Sequence, residues 1–190
     1  MTPSTNQLLK AAQDAEKAGK LPPVHLWNPD FCGDLDMEIK RDGTWFYLGT
    51  PIGRKPLVRL FSTILKLEDG KYFLVTPVEK VGIRVVDAPF VAVDIEATGD
   101  GADQMISFTT NVDDTVIAGV DHAIRVERDE GGEPSPYVHI RAGLDALIDR
   151  KSFYRLVDLG VTHGVDGTEM FGVWSNGTFF PIIPVAELDP

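Results

Sequence analysis

The sequence predicts an α+β protein of two related modules, built mostly of antiparallel strands with one helix per module. Three observations carry this reading. Asx-Gly pairs punctuate the chain at Asp42-Gly43, Asp69-Gly70, Asp100-Gly101, Asp166-Gly167 and Asn176-Gly177. Each lies between segments rich in β-branched and aromatic residues, the signature of strands joined by tight turns. Two short segments carry helical spacing instead. Leu57, Leu60, Phe61, Ile64 and Leu65 fall at i, i+3, i+4, i+7 and i+8, and Phe153, Leu156 and Val157 repeat the stripe. These two segments also align with each other. Between Ile52–Phe61 and Ile148–Val157 five of ten residues are identical at an offset of 96. Beyond them, Asp69-Gly70 with Tyr72-Phe73-Leu74-Val75 is answered by Asp166-Gly167 with Met170-Phe171-Gly172-Val173, at an offset of 97 for the turn and 98 for the strand. A repeated order of strand, helix and hairpin points to an internal duplication.

Taken in order, residues 6–18 place Leu8, Leu9, Ala12, Ala15 and Ala18 at helical spacing, closed by Gly19 as a C-terminal cap. Pro22, Pro23 and Pro29 then hold Leu26 and Trp27 in an extended stretch that is neither helix nor inner strand. Strands are expected at about 36–41, 44–49, 64–68, 71–76, 82–86, 90–97, 104–110, 122–127, 137–141, 168–174 and 178–183. Pro56 opens the first helix. Residues 98–103 and the acidic, Gly- and Pro-rich 128–136 read as loops. The domains are therefore residues 1–24, a helix and linker, 25–97, the first module, and 98–190, the second.

A chain of 190 residues with 43% hydrophobic letters and a mean hydropathy of −0.04 can bury a core. No apolar run is long enough for a membrane span, and the first twenty residues lack the pattern of an export signal. The expected compartment is the cytoplasm. The single cysteine, Cys32, allows neither an intrachain disulfide nor a thiolate metal cage. Residues 1–95 carry twelve cations and twelve anions, whereas residues 96–190 carry six and seventeen, so the net charge of −11 falls in the second half. An acidic chain repels phosphate backbones, which argues against DNA or RNA as a partner.

Against that trend, Arg54 and Lys55 stand at the start of the first helix and Arg150 and Lys151 at the start of the second. The helix macrodipole already presents positive charge there, and each extra cation is disfavoured by about 0.3 to 1 kcal/mol. A bound anion would neutralise such a cluster, because free N–H groups and a bidentate Arg suit phosphate or carboxylate. The competing reading is structural, with arginines braced against the carboxylates of the second half. Arg59 and Arg155, five residues on, are read as salt-bridge formers. Lys80 lies in a charged loop that can assist, and Trp45 or Tyr47 can stack a base if their strand lines a cleft.

No phosphate-binding Gly-rich loop, dinucleotide fingerprint, zinc-ligand spacing or nucleophile elbow occurs. His25, His122, His139 and His163 are scattered singly. His122 and His139 alternate with apolar residues and read as satisfied structural histidines. Cys32 reads as a small buried apolar residue rather than a nucleophile.

The residues do resemble a known family. Asp42-Gly43-Thr44-Trp45-Phe46-Tyr47-Leu48-Gly49-Thr50-Pro51-Ile52-Gly53-Arg54, Leu74-Val75-Thr76-Pro77-Val78-Glu79-Lys80, Val86-Asp87-Ala88-Pro89-Phe90 and Asp121-His122 with Arg125-Val126 are similar to a bacterial family catalogued as domain of unknown function 1285. Tyr137-Val138-His139-Ile140-Arg141-Ala142-Gly143-Leu144, Leu147-Ile148-Asp149-Arg150 and Phe171-Gly172-Val173-Trp174-Ser175-Asn176-Gly177 extend the match to about residues 25–183. Ala123 departs from the pattern, which has proline there. The resemblance implies a duplicated fold, a C-terminal module like a pleckstrin-homology domain, a nucleotide-like ligand at the module interface and a role in signal transduction. The combined reading is a non-catalytic binder of a small anionic ligand, with no cofactor named. A protein–protein adaptor without a small ligand is the alternative, and a small hydrolytic enzyme using Cys32 or a histidine the third.

Overall fold

The computed structural model describes residues 21–188 together with Leu8, Lys10, Gln13 and Asp14. Those four are helical and Leu8 is fully buried; the rest of the helix expected over 6–18, with its Gly19 cap, lies outside the described residues. The chain forms two compact units, Met1–Pro89 and Phe90–Pro190. The division falls ahead of the 97/98 boundary expected from sequence. Residues 90–98 form a single strand that pairs with strands of the second unit, so the hydrogen bonds carry it there.

In the first unit, β1 (Phe31–Ile39), β2 (Trp45–Tyr47) and β3 (Thr50–Pro51) form an antiparallel meander. Helix α1 (Lys55–Thr63) follows, then a second meander of β4 (Leu65–Glu68), β5 (Lys71–Val75) and β6 (Lys80–Val85). β6 returns parallel beside β1, giving one six-stranded sheet in the order β3-β2-β1-β6-β5-β4. The sequence dictates the faces. Leu35, Met37 and Ile39 of β1 are buried while Asp34, Asp36 and Glu38 point outward, a strict period of two. On α1, Leu60, Phe61 and the capping Ile64 bury the stripe, and Phe61 lies flat on Trp45 with ring centroids 6.3 Å apart.

The second unit repeats that sheet order. β7 (Phe90–Thr98), β8 (Met105–Thr110) and β9 (Thr115–Ile117) form one meander, and β10 (Ile124–Arg128), β11 (Pro134–Arg141) and β12 (Leu144–Ile148) the other. β12 pairs parallel with β7, so the order is β10-β11-β12-β7-β8-β9. Helix α2 (Arg150–Asp158) comes after both meanders, whereas α1 lies between its two. It leads into a third meander, β13 (Val161–Val165), β14 (Thr168–Ser175) and β15 (Thr178–Pro184). Ser175 ties this small sheet to the larger one. Its fully buried hydroxyl accepts from the Ile106 N–H at 2.9 Å and donates to the Ala118 carbonyl at 2.8 Å. Ser175→Ala leaves both backbone groups short of a partner and is expected to cost about 1–3 kcal/mol, read as a shift in the urea midpoint.

Every strand expected from sequence has a counterpart, and β3, β9, β12 and β13 are additional. Two of these escaped notice for one reason. The β2–β3 turn is Leu48-Gly49, with φ of 49° and 74°, and the β11–β12 turn is Ala142-Gly143, with φ of 48° and 78°. Both have the paired left-handed residues of a type I′ hairpin, but without the Asx that announces one. The strain is testable. Leu48 is 65% exposed, so Leu48→Asn loses little burial and relieves a left-handed Leu. Denaturant unfolding is expected to show a gain of about 0.5–1 kcal/mol. The 128–136 loop is shorter than expected, since β11 already begins at Pro134. No helix among the described residues is long and apolar enough to cross a membrane.

Candidate functional site

The two helix starts that the sequence marks as alike differ in structure. At α1 the N-cap is Arg54 itself. No side chain caps the helix, no acidic residue lies in its first turn, and Pro56 occupies an opening position. Arg54 and Lys55 are exposed, and neither side chain has a hydrogen-bond or ion-pair partner among the described residues. At α2 the chain supplies its own anion. Asp149 is the N-cap and its carboxylate accepts the Ser152 N–H at 2.7 Å. Arg150 turns back along the helix, donating from Nε to the Tyr154 hydroxyl at 2.8 Å with its guanidinium 5.5 Å from that ring. Lys151 is exposed. The difference traces to two residues: where the second segment has Asp149 and Tyr154, the first has Gly53 and Val58.

The other residues singled out from sequence fall in several places. Trp45 is a core residue, 1% exposed and stacked on Phe61, so the base-stacking role expected of it is corrected: its ring faces are taken by the fold. Tyr47 is half-buried on β2. Lys80 is engaged in its own unit. Its ammonium donates to Glu68 Oε1 at 2.8 Å and lies 5.1 Å from the Phe73 ring, while Lys66 reaches the other carboxylate oxygen at 3.0 Å. These bonds, Lys80's first, hold the Glu68 carboxyl below the ordinary carboxylate range. A folded pKa lowered in this way supports the fold above the unfolded value of about 4.3. The support is lost as pH falls through the folded value. Lys80→Met is therefore expected to move the Glu68 carboxyl titration upward in an NMR pH series.

Arg155 pairs with Asp94 and also donates to the Ile95 carbonyl, as expected of a salt-bridge former. Cys32 is half-exposed and not buried as expected, because it lies near the open end of β1 with its Sγ 3.4 Å from the Asp30 carbonyl. His122 and His139 are satisfied structurally: Nδ1 of the first donates to the His139 carbonyl at 3.0 Å and Nδ1 of the second to Asp145 at 2.9 Å. Arg125 holds the other Asp145 oxygen at 2.9 Å. Among the described residues, no cluster of three or more His, Cys, Asp or Glu is arranged to hold a metal ion.

One feature went unread in the sequence, a groove of about 420 Å³ on the outer face of the first sheet. Asp34, Glu38, Tyr72, Phe73 and Arg84 line it around Gly82. Asp34 lies where a Gly82 side chain would stand, its Oδ1 2.1 Å from an added Cβ. Arg84 spans the acidic row, 3.0 Å from Asp36 and 3.8 Å from Glu38. The signal was present in the alternation Asp34-Leu35-Asp36-Met37-Glu38, but the partner strand β6 is 48 residues away from Asp36 at Arg84.

Two family profiles cover this chain. Residues 22–88 match the N-terminal domain described as a domain of unknown function, DUF1285, and residues 89–182 match the C-terminal domain of a protein of unknown function of the same family. The chain belongs to the DUF1285 family. The profile boundary coincides within one residue with the division between the compact units. A DUF1285 protein from Silicibacter pomeroyi DSS-3, solved by crystallography, is 59% identical over 96% of this chain and 98% of its own, with a TM-score of 0.86. Another, from Shewanella baltica OS155, is 29% identical over 65% of this chain and 91% of its own, with a TM-score of 0.52. No curated protein matches the chain.

Proposed function

We propose that this DUF1285 protein is a non-catalytic receptor for a small anionic ligand of nucleotide-like chemistry, acting in signal transduction. The observation that carries the reading is the start of α1, a helix N-terminus with no side-chain cap and with the exposed cations Arg54 and Lys55, which have no partner among the described residues. Backbone N–H groups and a guanidinium together suit a phosphate. Arg150 and Lys151 take no direct part in this reading, because Asp149 and Tyr154 already serve the start of α2. Lys80 is likewise excluded by its bond to Glu68.

The test is thermal unfolding with adenosine monophosphate or inorganic pyrophosphate. Ligand at a hundred times its dissociation constant adds about 2.7 kcal/mol. The stabilisation is expected to vanish in Arg54→Met/Lys55→Met and to persist in Arg150→Met. A response unchanged in the double variant, or none with either probe, overturns the reading.

The same reading takes the chain as a duplication with a C-terminal module of pleckstrin-homology type. Its support is the order of elements. β10-β11-β12-α2-β13-β14-β15 repeats β1-β2-β3-α1-β4-β5-β6, and β15 approaches β10, although without the parallel ladder that joins β6 to β1. In that alignment β7–β9 is the added meander.

A further inference from the structure

β13 is an edge strand of the small sheet, and nothing in its composition protects it. Val161-Thr162-His163-Gly164-Val165 carries no acidic residue, lysine, arginine, proline or bulge, and its first four residues are exposed. Natural edges are usually blunted by one of those devices, because an open edge offers unpaired N–H and C=O groups to another strand. The two-residue turn at Asp166-Gly167 makes Val165 and Thr168 a hydrogen-bonded pair, and the alternation of an antiparallel ladder then turns Thr162 and Gly164 away from β14. Beside this edge His163, Trp174 and Phe179 form a three-ring cluster with centroids 4.9–5.4 Å apart.

The surrounding charge indicates what the edge accepts. Asp158 ends α2, Asp166 forms the turn and Glu169 stands opposite Gly164. All three are exposed, and none has an ion-pair partner among the described residues. A second copy of the chain fits poorly. Antiparallel pairing of two β13 strands about His163 sets Val161 against Val165 and brings Asp166 of one copy towards Asp158 of the other, like charges at both ends.

We propose that β13 is a docking edge for an extended basic peptide, added as a fourth strand with its cations on Asp158, Asp166 and Glu169. Main-chain bonds to Thr162 and Gly164 give affinity, and the acids select charge. This surface is independent of the α1 anion site.

The experiment titrates the intact protein with a six-residue peptide of alternating valine and threonine bearing a lysine at each end, followed by backbone amide NMR. Saturable shifts are expected at Thr162 and Gly164, with the Trp174 indole moving too. A peptide with glutamate at both ends is expected not to bind. Thr162→Pro removes an outward N–H that no ladder bond uses and is expected to weaken binding at least ten-fold. Asp166→Asn/Glu169→Gln, which keeps a turn-compatible residue at 166, is expected to weaken it about three- to ten-fold. The proposal is overturned if neither peptide binds, if both bind equally, or if sedimentation shows a dimer that Thr162→Pro dissolves, which would assign the edge to a second copy.

Discussion

Phe61→Ala is expected to destabilise the first unit by about 3–5 kcal/mol, the range for truncating a buried aromatic residue that leaves a cavity. The ring is 1% exposed and lies nearly parallel to Trp45, at an interplanar angle of 14°. The loss reaches beyond the core. A nine-residue helix is not stable by itself, so α1 depends on this stack for its place, and with it the N-terminal geometry of Arg54 and Lys55. Anion-dependent stabilisation is expected to fall along with the urea midpoint. Phe61→Leu, which keeps most of the volume, serves as the milder comparison. Tryptophan fluorescence, to which Trp45 contributes beside Trp27 and Trp174, follows the transition. An unfolding midpoint unchanged in Phe61→Ala would show that the stack does not hold the helix.

The second large effect lies in the other unit. Gly172→Ala is expected to cost about 3 kcal/mol, at the upper end of overpacking, because the obstruction is backbone. An added Cβ would stand 2.3 Å from the Phe180 carbonyl oxygen and 2.9 Å from the Pro181 Cα. Gly172 lies at the irregularity of the β14–β15 ladder, where the register slips between Phe171 and Gly172, and close approach of two strands there requires the missing side chain. Gly160 makes an informative contrast. The three atoms nearest its added Cβ all belong to the Phe171 ring, the first at 2.0 Å, and a side chain can rotate where a carbonyl in a ladder cannot. Gly160→Ala is expected to cost less than Gly172→Ala under the same denaturant titration. The reverse order would show that the ring is more tightly held than the strand.

Most of the strands and the helices α1 and α2 were legible in the sequence because their signals are local. Asp69-Gly70, Asp166-Gly167 and Asn176-Gly177 adopt paired left-handed turns, as short polar side chains and glycine allow. The apolar stripe on α1 ends at Ile64, and Leu65 opens β4. Leu48-Gly49 and Ala142-Gly143 form the same kind of turn with residues that give no warning, which hid β3 and β12. The candidate site was half legible. The repeated cations at Arg54, Lys55, Arg150 and Lys151 stand at helix starts as their spacing implies, but only the structure separates the two pairs.

By itself, then, the sequence determined the strand-rich class, the positions of both helices, the placing of cations at their starts and the family. Tertiary structure alone decided the parallel pairing of β1 with β6 and of β7 with β12, the position of α2 after two meanders, and the open edge at β13. It also decided that Trp45 belongs to the core and that Asp149 caps one helix while the other stays uncapped. The reason is range. Periodicity and turn chemistry act over a few residues and are written where they act, whereas strand partners, side-chain stacking and ion pairs depend on which distant segments the folded chain brings within a few ångströms.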